Sequence, residues 1–534
     1  MSRPRCSDDG QIMSRGTELA SGRSKPHMNV ELHRRWRAGL AGLALTAWLA
    51  LPGPLFASEV QDQLPEMGTA AQQTLSIEDE YRIGRMVMRG LRESGRIIED
   101  PETNEYIQTL GLRLSSVTNQ GNRDFNFFLV NDRSINAFAL PGGFVGINTG
   151  LLLDTRNESE LAGVLAHEVS HVTQRHIARS IEAGNRTNLV STAATLAAIL
   201  LGAIAGVGSD MTMAAITAAQ GLSAQAQINF TRENEYEADR VGIGLMADAR
   251  FDPNAMPAFF EEMGRRTQLS PDQVPELLRS HPVTSARIAE SKGRAAQYAP
   301  VATHDSMSYA VTRERIRVLT TPAGQDPRTY YASLIGGEPD SSVAQVYGKA
   351  LAQLVSGDAA HAVPTFERLV ATHPEVMQFH TALAQSLIAS GQPKAGMEVL
   401  ERARVLSPRN VPVTVRYAEA LLQANRPKRA HEVLLDLFNN VPPTQEQIRL
   451  TAMAANAAGD VADAYSYMAE YHIMGGDLPL AVNQLELALS VPGIGELQRA
   501  RYAARLKELR DVLPRDRQRT EQPQGSGGGR NPNG

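Results

Sequence analysis

The feature that most constrains the fold of this 534-residue chain is a 34-residue repeat in its second half. Four series of residues recur at this spacing in one register. They are Ala350, Ala384, Ala418 and Ala452; Pro374, Pro408 and Pro442; Gly357, Gly391, Asn425 and Gly459; and Ala362, Gly396, Ala430 and Ala464. Small residues at fixed points let paired helices approach closely, and glycine or asparagine makes the turn between them. The sequence therefore predicts a solenoid of stacked helix pairs.

A period of 34 residues is that of tetratricopeptide repeats, and we assign residues 341–511 to such a domain. The repeats lack an aromatic residue at the fourth position, and the final segment Leu478–Ser490 is irregular and typical of a cap. Stacked repeats form a concave surface that can bind a protein partner. The composition after this domain, rich in Gln, Gly, Arg and Pro, predicts a disordered tail over residues 512–534.

The chemistry of the chain is concentrated in a His-Glu-x-x-His segment. His167 and His171 are four residues apart in a stretch with helical apolar spacing, so both imidazoles lie on one helix face. Asn157 and Glu160 form a capping-box pattern at the start of that helix. Two imidazoles on one face can bind one Zn²⁺, and Glu168 can take a proton from water and pass it to a leaving amine. Because this short pattern also occurs by chance, a third ligand has to decide.

The third ligand is expected in the acidic segment 231–242. Glu235 and Asp239 are four residues apart on a predicted second helix. Glu235 can complete a site of two histidines and one glutamate, which leaves a fourth position for water. Asp239 is then placed to orient a ligand histidine.

Other polar residues nearby are not expected to bind the metal. His176 lies five residues after His171, which puts it on a different face of a continuous helix. Position 177 is isoleucine, so the metalloprotease pattern with a third histidine six residues after the second is absent. Glu233 and Glu237 are expected to form a solvated acidic face.

His-Glu-x-x-His followed by Glu-x-x-x-Asp resembles the CAAX-prenyl-protease and heat-shock HtpX-like zinc metallopeptidases. Residues 60–510 are similar to the periplasmic branch of that family, the β-barrel assembly-enhancing proteases, which join such a protease to tetratricopeptide repeats. The resemblance implies one Zn²⁺ per chain, with His167, His171 and Glu235 as ligands and Glu168 as the catalytic base. It also implies that the repeats bind the outer-membrane β-barrel assembly machinery, and that the substrates are unfolded or misassembled outer-membrane proteins.

Two further site residues lie in the segment 281–288. His281 precedes Pro282 as in the family, where the resemblance implies that this histidine approaches the metal. It either binds the metal in the fourth position and keeps the resting enzyme closed, or donates a hydrogen bond to the oxyanion. We favour the first. Arg287 can stabilise an oxyanion or bind a carboxylate, and we favour the alternative that it pairs with a structural carboxylate.

Before the helix predicted to carry His167 and His171, the spacing of the apolar residues changes from helical to every second residue. Residues 125–130 predict a strand, and 135–140 with 144–148 predict a hairpin around the turn 141–143. The hairpin either only packs the core or offers an edge strand that takes substrate in extended form. Helices are predicted at 78–94, 102–117, 253–268 and 275–280. These elements define a metallopeptidase domain over residues 77–300, followed by a connecting segment over 301–340 that ends in a linker at Gly336–Ser342.

The N-terminus reads as an export signal. Three arginines precede the apolar run Ala38–Leu51, and a cleavage site follows, which predicts a signal peptide over residues 1–57 and a linker over 58–76. Met28 would be a more usual start, so residues 1–27 need not be translated. The one cysteine, Cys6, precedes the mature chain, and export without disulfides fits a bacterial periplasm. The net charge of −5 argues against nucleic acid as a partner.

The run Leu189–Gly208 carries no charge and is long enough to suggest a transmembrane helix. One crossing would place His171 and Glu235 on opposite sides of a bilayer, and a second crossing over 211–230 would contain four amide side chains. We therefore interpret the run as an apolar helical hairpin that covers the cleft or makes a peripheral membrane contact. A buried core helix is the alternative.

The predicted fold class is mainly α: an α+β protease domain with a small β-hairpin or sheet, followed by an all-α tetratricopeptide-repeat solenoid. The leading function is an exported zinc metalloendopeptidase in the periplasm of a Gram-negative bacterium, soluble or peripherally membrane-associated, with a chaperone or adapter role for its repeats. One alternative is a chaperone or adapter with latent protease activity. Another is an integral-membrane CAAX-type protease, which needs true membrane spans.

Overall fold

A computed structural model of the protein describes residues 75–118, 124–184, 232–269, 274–299, 301, 304–335 and 342–521. All of them belong to the second of two compact units, Glu66–Gly534. The predicted signal peptide, the apolar run Leu189–Gly208 and the linker up to residue 341 lie outside the described residues. In the described part of the chain, no helix is both long and apolar enough to cross a membrane.

The first part of the described chain surrounds a small sheet with helices. Its elements are α1 (Ile77–Glu93), α2 (Pro101–Ser115), β1 (Asn126–Val130), β2 (Ala137–Leu140), β3 (Phe144–Asn148), α3 (Thr149–Asp154), α4 (Glu158–Thr173), α5 (His176–Gly184), α6 (Arg232–Asp248), α7 (Ala255–Leu269), α8 (Glu276–Ser280) and α9 (Ser285–Ala295). Side-chain caps fix several helix starts: Ser76 accepts from the Asp79 amide and Asp100 from the Thr103 amide. With the repeat helices that follow, these elements confirm the predicted fold class.

The sheet has the strand order β1–β3–β2. Strands β2 and β3 are antiparallel, with Ala139 opposite Val145, and form the predicted hairpin. Strand β1 lies parallel to β3, with Phe127 opposite Val145. Ala139 and Val145 share a hydrophobic core with Leu161 and Leu165 of α4. The hairpin therefore packs against the helix that carries His-Glu-x-x-His, and β2 forms an edge of the sheet.

The second part of the described chain is helical throughout. Its helices are α10 (Met307–Leu319), α11 (Pro327–Ile335), α12 (Val343–Val355), α13 (Ala359–Thr372), α14 (Met377–Ala389), α15 (Pro393–Leu406), α16 (Val411–Gln423), α17 (Pro427–Phe438), α18 (Gln445–Ala458), α19 (Val461–Met474), α20 (Leu478–Ser490) and α21 (Glu496–Glu521). Helix α20, in the segment that appeared irregular in sequence, is a regular helix packed on α19 and α21. Helix α21 runs past residue 512, where the sequence predicts a disordered tail, and residues 522–534 lie outside the described chain.

The 34-residue series have the structural roles that their residue types predict. The turn positions Gly357, Gly391, Asn425 and Gly459 have φ values of 84°, 85°, 55° and 93°, the left-handed region that favours glycine and asparagine. A Cβ atom on Gly396 would lie 2.7 Å from Cγ1 of Ile388, so this position must be small. These positions confirm the repeat prediction.

The connecting segment contributes to both hydrophobic cores. In α10, Tyr309 and Ile316 pack in the core of the metallopeptidase domain, whereas Val311 and Val318 pack in the core of the repeats. The two sides of one helix are thus buried in two different domains. The metallopeptidase domain and the repeats share a substantial hydrophobic contact through α10.

Ion pairs also join the metallopeptidase domain to the repeats. Asp100 and Glu102, at the start of α2, bind Arg315 of α10 and Arg416 of α16. Tyr347 of α12 accepts a further hydrogen bond from Arg315 at 3.0 Å. A second group of contacts involves α1, where Arg92 donates to Gln445 of α18 at 2.6 Å and Arg85 to the carbonyl of Ile473 at 3.0 Å. The repeats therefore pack directly against α1 and α2.

Candidate metal centre

Four elements bring the predicted site residues together. Helix α4 carries His167, Glu168 and His171, helix α6 carries Glu235 and Asp239, the turn after α8 carries His281, and α9 carries Arg287. All seven side chains are buried. Asn157 caps α4 by accepting from the Glu160 amide at 2.9 Å, as the sequence predicts. The structure thus places every predicted site residue in one buried cluster.

A glycine allows α6 to approach α4 closely enough for this cluster to form. A Cβ atom on Gly242 would lie 3.2 Å from the backbone of both Ala166 and His167, and 2.9 Å from Cε of Met256. Those distances are tighter than ordinary contacts, so a side chain here would push the helices apart. Gly242 lies two helical turns after Glu235, and it therefore helps to hold that carboxylate against the histidines of α4.

His167, His171, Glu235 and His281 each direct one potential ligand atom to a common point, and these atoms all lie within 4.8 Å of one another. His167 Nε2 lies 3.0 Å from His171 Nε2 and 3.4 Å from His281 Nδ1. Both histidines of α4 have their Nε2 atoms 3.5 Å from a carboxylate oxygen of Glu235. Tetrahedral zinc with bonds of 2.0–2.1 Å separates its ligand atoms by about 3.4 Å. The separations of 3.0–3.5 Å among His167, His171 and Glu235 therefore fit three ligands of a single tetrahedral metal ion.

The charges of these groups also suit a cation. Burial alone would raise the pKa of the Glu235 carboxyl, but His281 and His167 hold it well below its usual range. Burial alone would lower the pKa of His167, but Asp239 and Glu235 raise it to about 9. Two buried carboxylates thus favour positive charge at this point. Burial lowers the pKa of His171 well below its ordinary value, which keeps that ring neutral, as a metal ligand must be.

Glu168 differs from the other carboxylates of the cluster. Neither of its oxygens has a hydrogen-bond partner among the described residues, although its side chain is fully buried. Nε2 of His281 lies 3.5 Å from its Oε1, too far and too poorly aligned for a hydrogen bond. A buried carboxylate without a partner is costly, so this position suits a group that exchanges hydrogen bonds or protons with a reactant.

Asp239 and Arg287 contact the potential metal ligands and hold them in place. Asp239 Oδ1 lies 2.9 Å from His167 Nδ1, which leaves Nε2 of that ring for the metal. Arg287 donates to Asp239 through Nε at 2.6 Å and Nη2 at 2.8 Å, and its Nη1 lies 2.7 Å from Oε2 of Glu235. Arg287 thus contacts two carboxylates of the site. Its participation in the reaction stays a prediction.

Two residues that were not expected to bind the metal, His176 and Glu237, lie beside the site. His176 is not one of the four potential ligands, but its Nδ1 lies 2.8 Å from Nδ1 of His171. Its Nε2 lies 3.1 Å from Oε2 of Glu237, which also accepts from Arg179 at 2.9 Å. Glu237 therefore belongs to the surroundings of the site and not to a solvated face, whereas Glu233 is exposed as expected.

The reason lies in the end of α4. The expectation for His176 assumed a helix that continues through it, but α4 ends at Thr173. Arg175 then adopts a φ of 54°, which turns the chain before α5 begins. No glycine or proline marks this break in the sequence. The one available signal was the presence of a third histidine close to the motif.

Comparisons with known proteins agree with this site. The profile described as Peptidase family M48 matches residues 101–295, and that of the Tetratricopeptide repeat matches residues 387–455. The Beta-barrel assembly-enhancing protease of Escherichia coli (strain K12) is 35% identical over 465 residues, which cover 86% of this chain and 94% of that protein. The protein of the same name from Yersinia pestis is 32% identical over 484 residues, covering 89% and 98% of the two chains.

A more distant relative shares part of the chain. The Mitochondrial metalloendopeptidase OMA1 of Schizosaccharomyces pombe is 34% identical over 161 residues, which cover 30% of this chain and 44% of that protein. The bacterial relatives match over nearly their whole length, and the buried His/His/Glu/His cluster lies in the part that matches Peptidase family M48. This chain is therefore a metallopeptidase of family M48 and belongs to the β-barrel assembly-enhancing proteases.

Proposed function

We propose that this chain is a zinc endopeptidase of the bacterial periplasm that cleaves unfolded or misassembled outer-membrane β-barrel proteins. The observation that carries the proposal is the buried group of His167, His171 and Glu235 with the unpartnered carboxylate of Glu168 beside it. The names of the bacterial relatives support the substrate class, and the predicted signal peptide supports the location.

The donor set supports zinc as the metal. Imidazole nitrogens and one carboxylate oxygen are common ligands of catalytic zinc, and the separations fit its tetrahedral geometry. When bound, zinc would supply Lewis-acid chemistry, which polarises a carbonyl group and makes water a stronger nucleophile at neutral pH. His167, His171 and Glu235 would hold it, and the identity of the metal is open to direct measurement.

The side chains around the metal position divide the remaining work. Glu168 takes the proton from the attacking water and delivers it to the amine that leaves. Asp239 holds the ring of His167 in the orientation that presents Nε2. Arg287 holds Asp239 in place through charge-assisted hydrogen bonds and forms an ion pair with Glu235.

Strand β2 offers a way to bind an extended substrate. It is an edge strand, and its inward side chains Ala137 and Ala139 share a core with α4. A peptide that adds to such an edge is bound mainly through its backbone, so binding would depend little on sequence. An extended segment is available in an unfolded protein but not in a closed β-barrel. This supports selection of unfolded clients over assembled ones.

The repeats are proposed to bind the β-barrel assembly machinery. Part of their surface is used within the chain, because α16 and α18 contact α2 and α1 through Arg416 and Gln445. A partner protein would therefore bind the repeat surface that faces away from these two contacts. Such a module can also act as a chaperone or adapter without proteolysis.

The decisive experiment compares the wild-type chain with Glu168→Gln on an unfolded outer-membrane protein. We expect the variant to retain zinc and fold but to lose hydrolysis, because the general base is removed while the ligands remain. Glu233→Gln, an exposed change on a neighbouring helix, serves as the control. If Glu168→Gln cleaves the client as fast as the wild type, the assigned mechanism is wrong. If neither the wild type nor Glu168→Gln cleaves the client but both prevent its aggregation, the chaperone or adapter alternative is correct.

A further inference from the structure

We propose that His176 and Glu237 are positioning residues that hold the metal ligand His171 in its binding form. The inference rests on the proposed metal centre and extends it beyond the ligands. His176 and His171 are both fully buried at their side chains, and their Nδ1 atoms lie 2.8 Å apart. On the other side of the His176 ring, Nε2 lies 3.1 Å from Oε2 of Glu237.

These distances define a series of hydrogen bonds in which His171 donates to His176 and His176 donates to Glu237. If His171 binds the metal through Nε2, its Nδ1 carries the proton and donates it. Nδ1 of His176 must then accept, so Nε2 of His176 carries the proton and donates to the Glu237 carboxylate. That carboxylate also accepts from Nη1 of Arg179 at 2.9 Å. Each member of the series thus has a role that fits its neighbour.

The two histidines of α4 are supported in different ways. His167 is held directly by a carboxylate, since Asp239 Oδ1 lies 2.9 Å from its Nδ1. His171 is held by a second imidazole, which in turn is held by Glu237. An outer partner on a ligand histidine fixes the ring and increases its basicity, and its loss commonly weakens metal binding 10–100-fold. These outer contacts therefore fix the orientation of both ligand rings.

The backbone that presents His176 is strained and firmly anchored. Arg175, the preceding residue, has a φ of 54°, which is unfavourable for a residue with a side chain. Its buried guanidinium donates to Glu80 Oε1 at 2.8 and 3.0 Å and to the Leu75 carbonyl at 2.6 Å. These contacts with Glu80 of α1 and with Leu75, two residues before α1, hold the turn in the conformation that brings His176 to His171. A strained residue fixed this well, directly before His176, indicates that the position of His176 matters.

The test measures zinc affinity, by competition with a chelator, in the full chain. His176→Leu removes the acceptor for His171, whereas His176→Asn places Oδ1 near the position of Nδ1 and keeps an acceptor there. We expect the leucine variant to bind zinc about 10–100-fold more weakly and the asparagine variant to recover most of this loss. His361→Leu, at a histidine whose side chain is 78% exposed in the repeats, should bind zinc like the wild type.

Two further measurements separate positioning from packing. The visible spectrum of each variant loaded with Co²⁺ reports the coordination geometry, and we expect it to change for leucine more than for asparagine. Glu237→Leu, at a side chain that is 30% exposed, tests the outer end of the series and should weaken zinc binding about tenfold even if His176→Leu does not fold.

The proposal is overturned if folded His176→Leu or Glu237→Leu binds zinc with wild-type affinity. It is also overturned if asparagine is as damaging as leucine, because the effect would then come from packing and not from the hydrogen bond. A wild-type chain that binds no zinc would overturn the proposed metal centre itself, so the two failures can be told apart.

Discussion

Arg416 of the repeats places its Nη2 2.7 Å from Oε2 of Glu102, at the start of α2 in the metallopeptidase domain. The Glu102 side chain is completely buried, and that of Arg416 is 14% exposed. Arg315 of α10 and Asp100 complete the group, so two arginines and two carboxylates meet at the boundary between the domains. The sequence separates Glu102 from Arg416 by 314 positions. This group ties the repeats to the metallopeptidase domain as parts of one folded unit.

Removing Arg416 should therefore destabilise the whole chain and not only the repeats. Arg416→Ala leaves the buried carboxylates of Glu102 and Asp100 with fewer partners, and breaking a buried ion pair commonly costs 3–5 kcal/mol. Because Arg315 still contacts both acids, we expect a loss near the lower end, about 3 kcal/mol. Denaturant unfolding followed by probes in both domains measures the change.

An exposed ion pair in the same repeats provides the control. Arg429 and Glu432 lie 3.0 Å apart with exposed side chains, and Arg429→Ala should change stability by less than about 1 kcal/mol. Equal and small effects of Arg416→Ala and Arg429→Ala would mean that the domain boundary contributes little to folding.

The same boundary predicts how stability depends on pH. Burial alone would raise the pKa of the Asp100 carboxyl, but Arg315 and Arg416 hold it well below its usual range. A depressed pKa in the folded state stabilises the protein above the unfolded pKa of about 3.9 and loses this effect as pH falls. The stability advantage of the wild type over Asp100→Asn should thus be constant from pH 6 to 8 and shrink below about pH 4.

Urea unfolding of both proteins across that range tests the prediction, with the exposed Asp436→Asn as the matched control. An advantage that stays undiminished at pH 3 would show that the ionised Asp100 carboxylate is not the stabilising form.

The potential ligands on each helix could be proposed from sequence because local geometry places each pair on one helix face. His167 and His171 share a helix face whatever the rest of the chain does, and Glu-x-x-x-Asp repeats that relation on α6. His176 could not be placed, because its contact with His171 depends on a left-handed Arg175 that no glycine announces. The side chain of Arg175 in turn contacts Glu80, which is far away in sequence. Contacts of this kind arise from the tertiary fold.

The contacts between the metallopeptidase domain and the repeats could not be predicted from the sequence either. The linker composition before Ser342 suggests two separate units, and the 34-residue period describes each repeat by its neighbours alone. Neither pattern contains information on what packs against α2. Arg315 and Arg416 look like ordinary helix residues in the sequence. Only the fold shows that they are buried on Asp100 and Glu102.

The third ligand is tested by Glu235→Ala. We expect bound zinc to fall sharply, because the change removes the carboxylate that lies 3.5 Å from both Nε2 atoms of α4. Metal analysis of the purified protein measures this, and the exposed Glu233→Ala on the same helix should bind zinc as the wild type does. Unchanged zinc in Glu235→Ala would remove this residue from the ligand set.

The close crossing of α4 and α6 predicts a cost for any side chain at Gly242. Gly242→Ala would place Cβ 3.2 Å from the His167 backbone nitrogen, so the helices must shift by a few tenths of an ångström. Overpacking of this kind costs about 1–3 kcal/mol, and the shift should also weaken zinc binding. Gly244→Ala on the same helix is the control, because its Cβ would meet only Tyr298 Oη at 3.4 Å. Equal stability and zinc affinity in both variants would show that a methyl group at position 242 fits between the two helices.

His281 decides whether the resting site is closed. Its Nδ1 lies 3.0 Å from Oε1 of Glu235 and 3.4 Å from Nε2 of His167, so it is positioned as a fourth ligand. If it occupies that position at rest, His281→Ala keeps zinc on the other three ligands, admits water, and raises proteolysis or self-cleavage. If it stabilises the oxyanion, the same change lowers activity about 10²-fold. We expect the rise, measured at matched zinc content on an unfolded client, and the added change Glu168→Gln should abolish it. A fall in the activity of His281→Ala would assign His281 to the oxyanion instead.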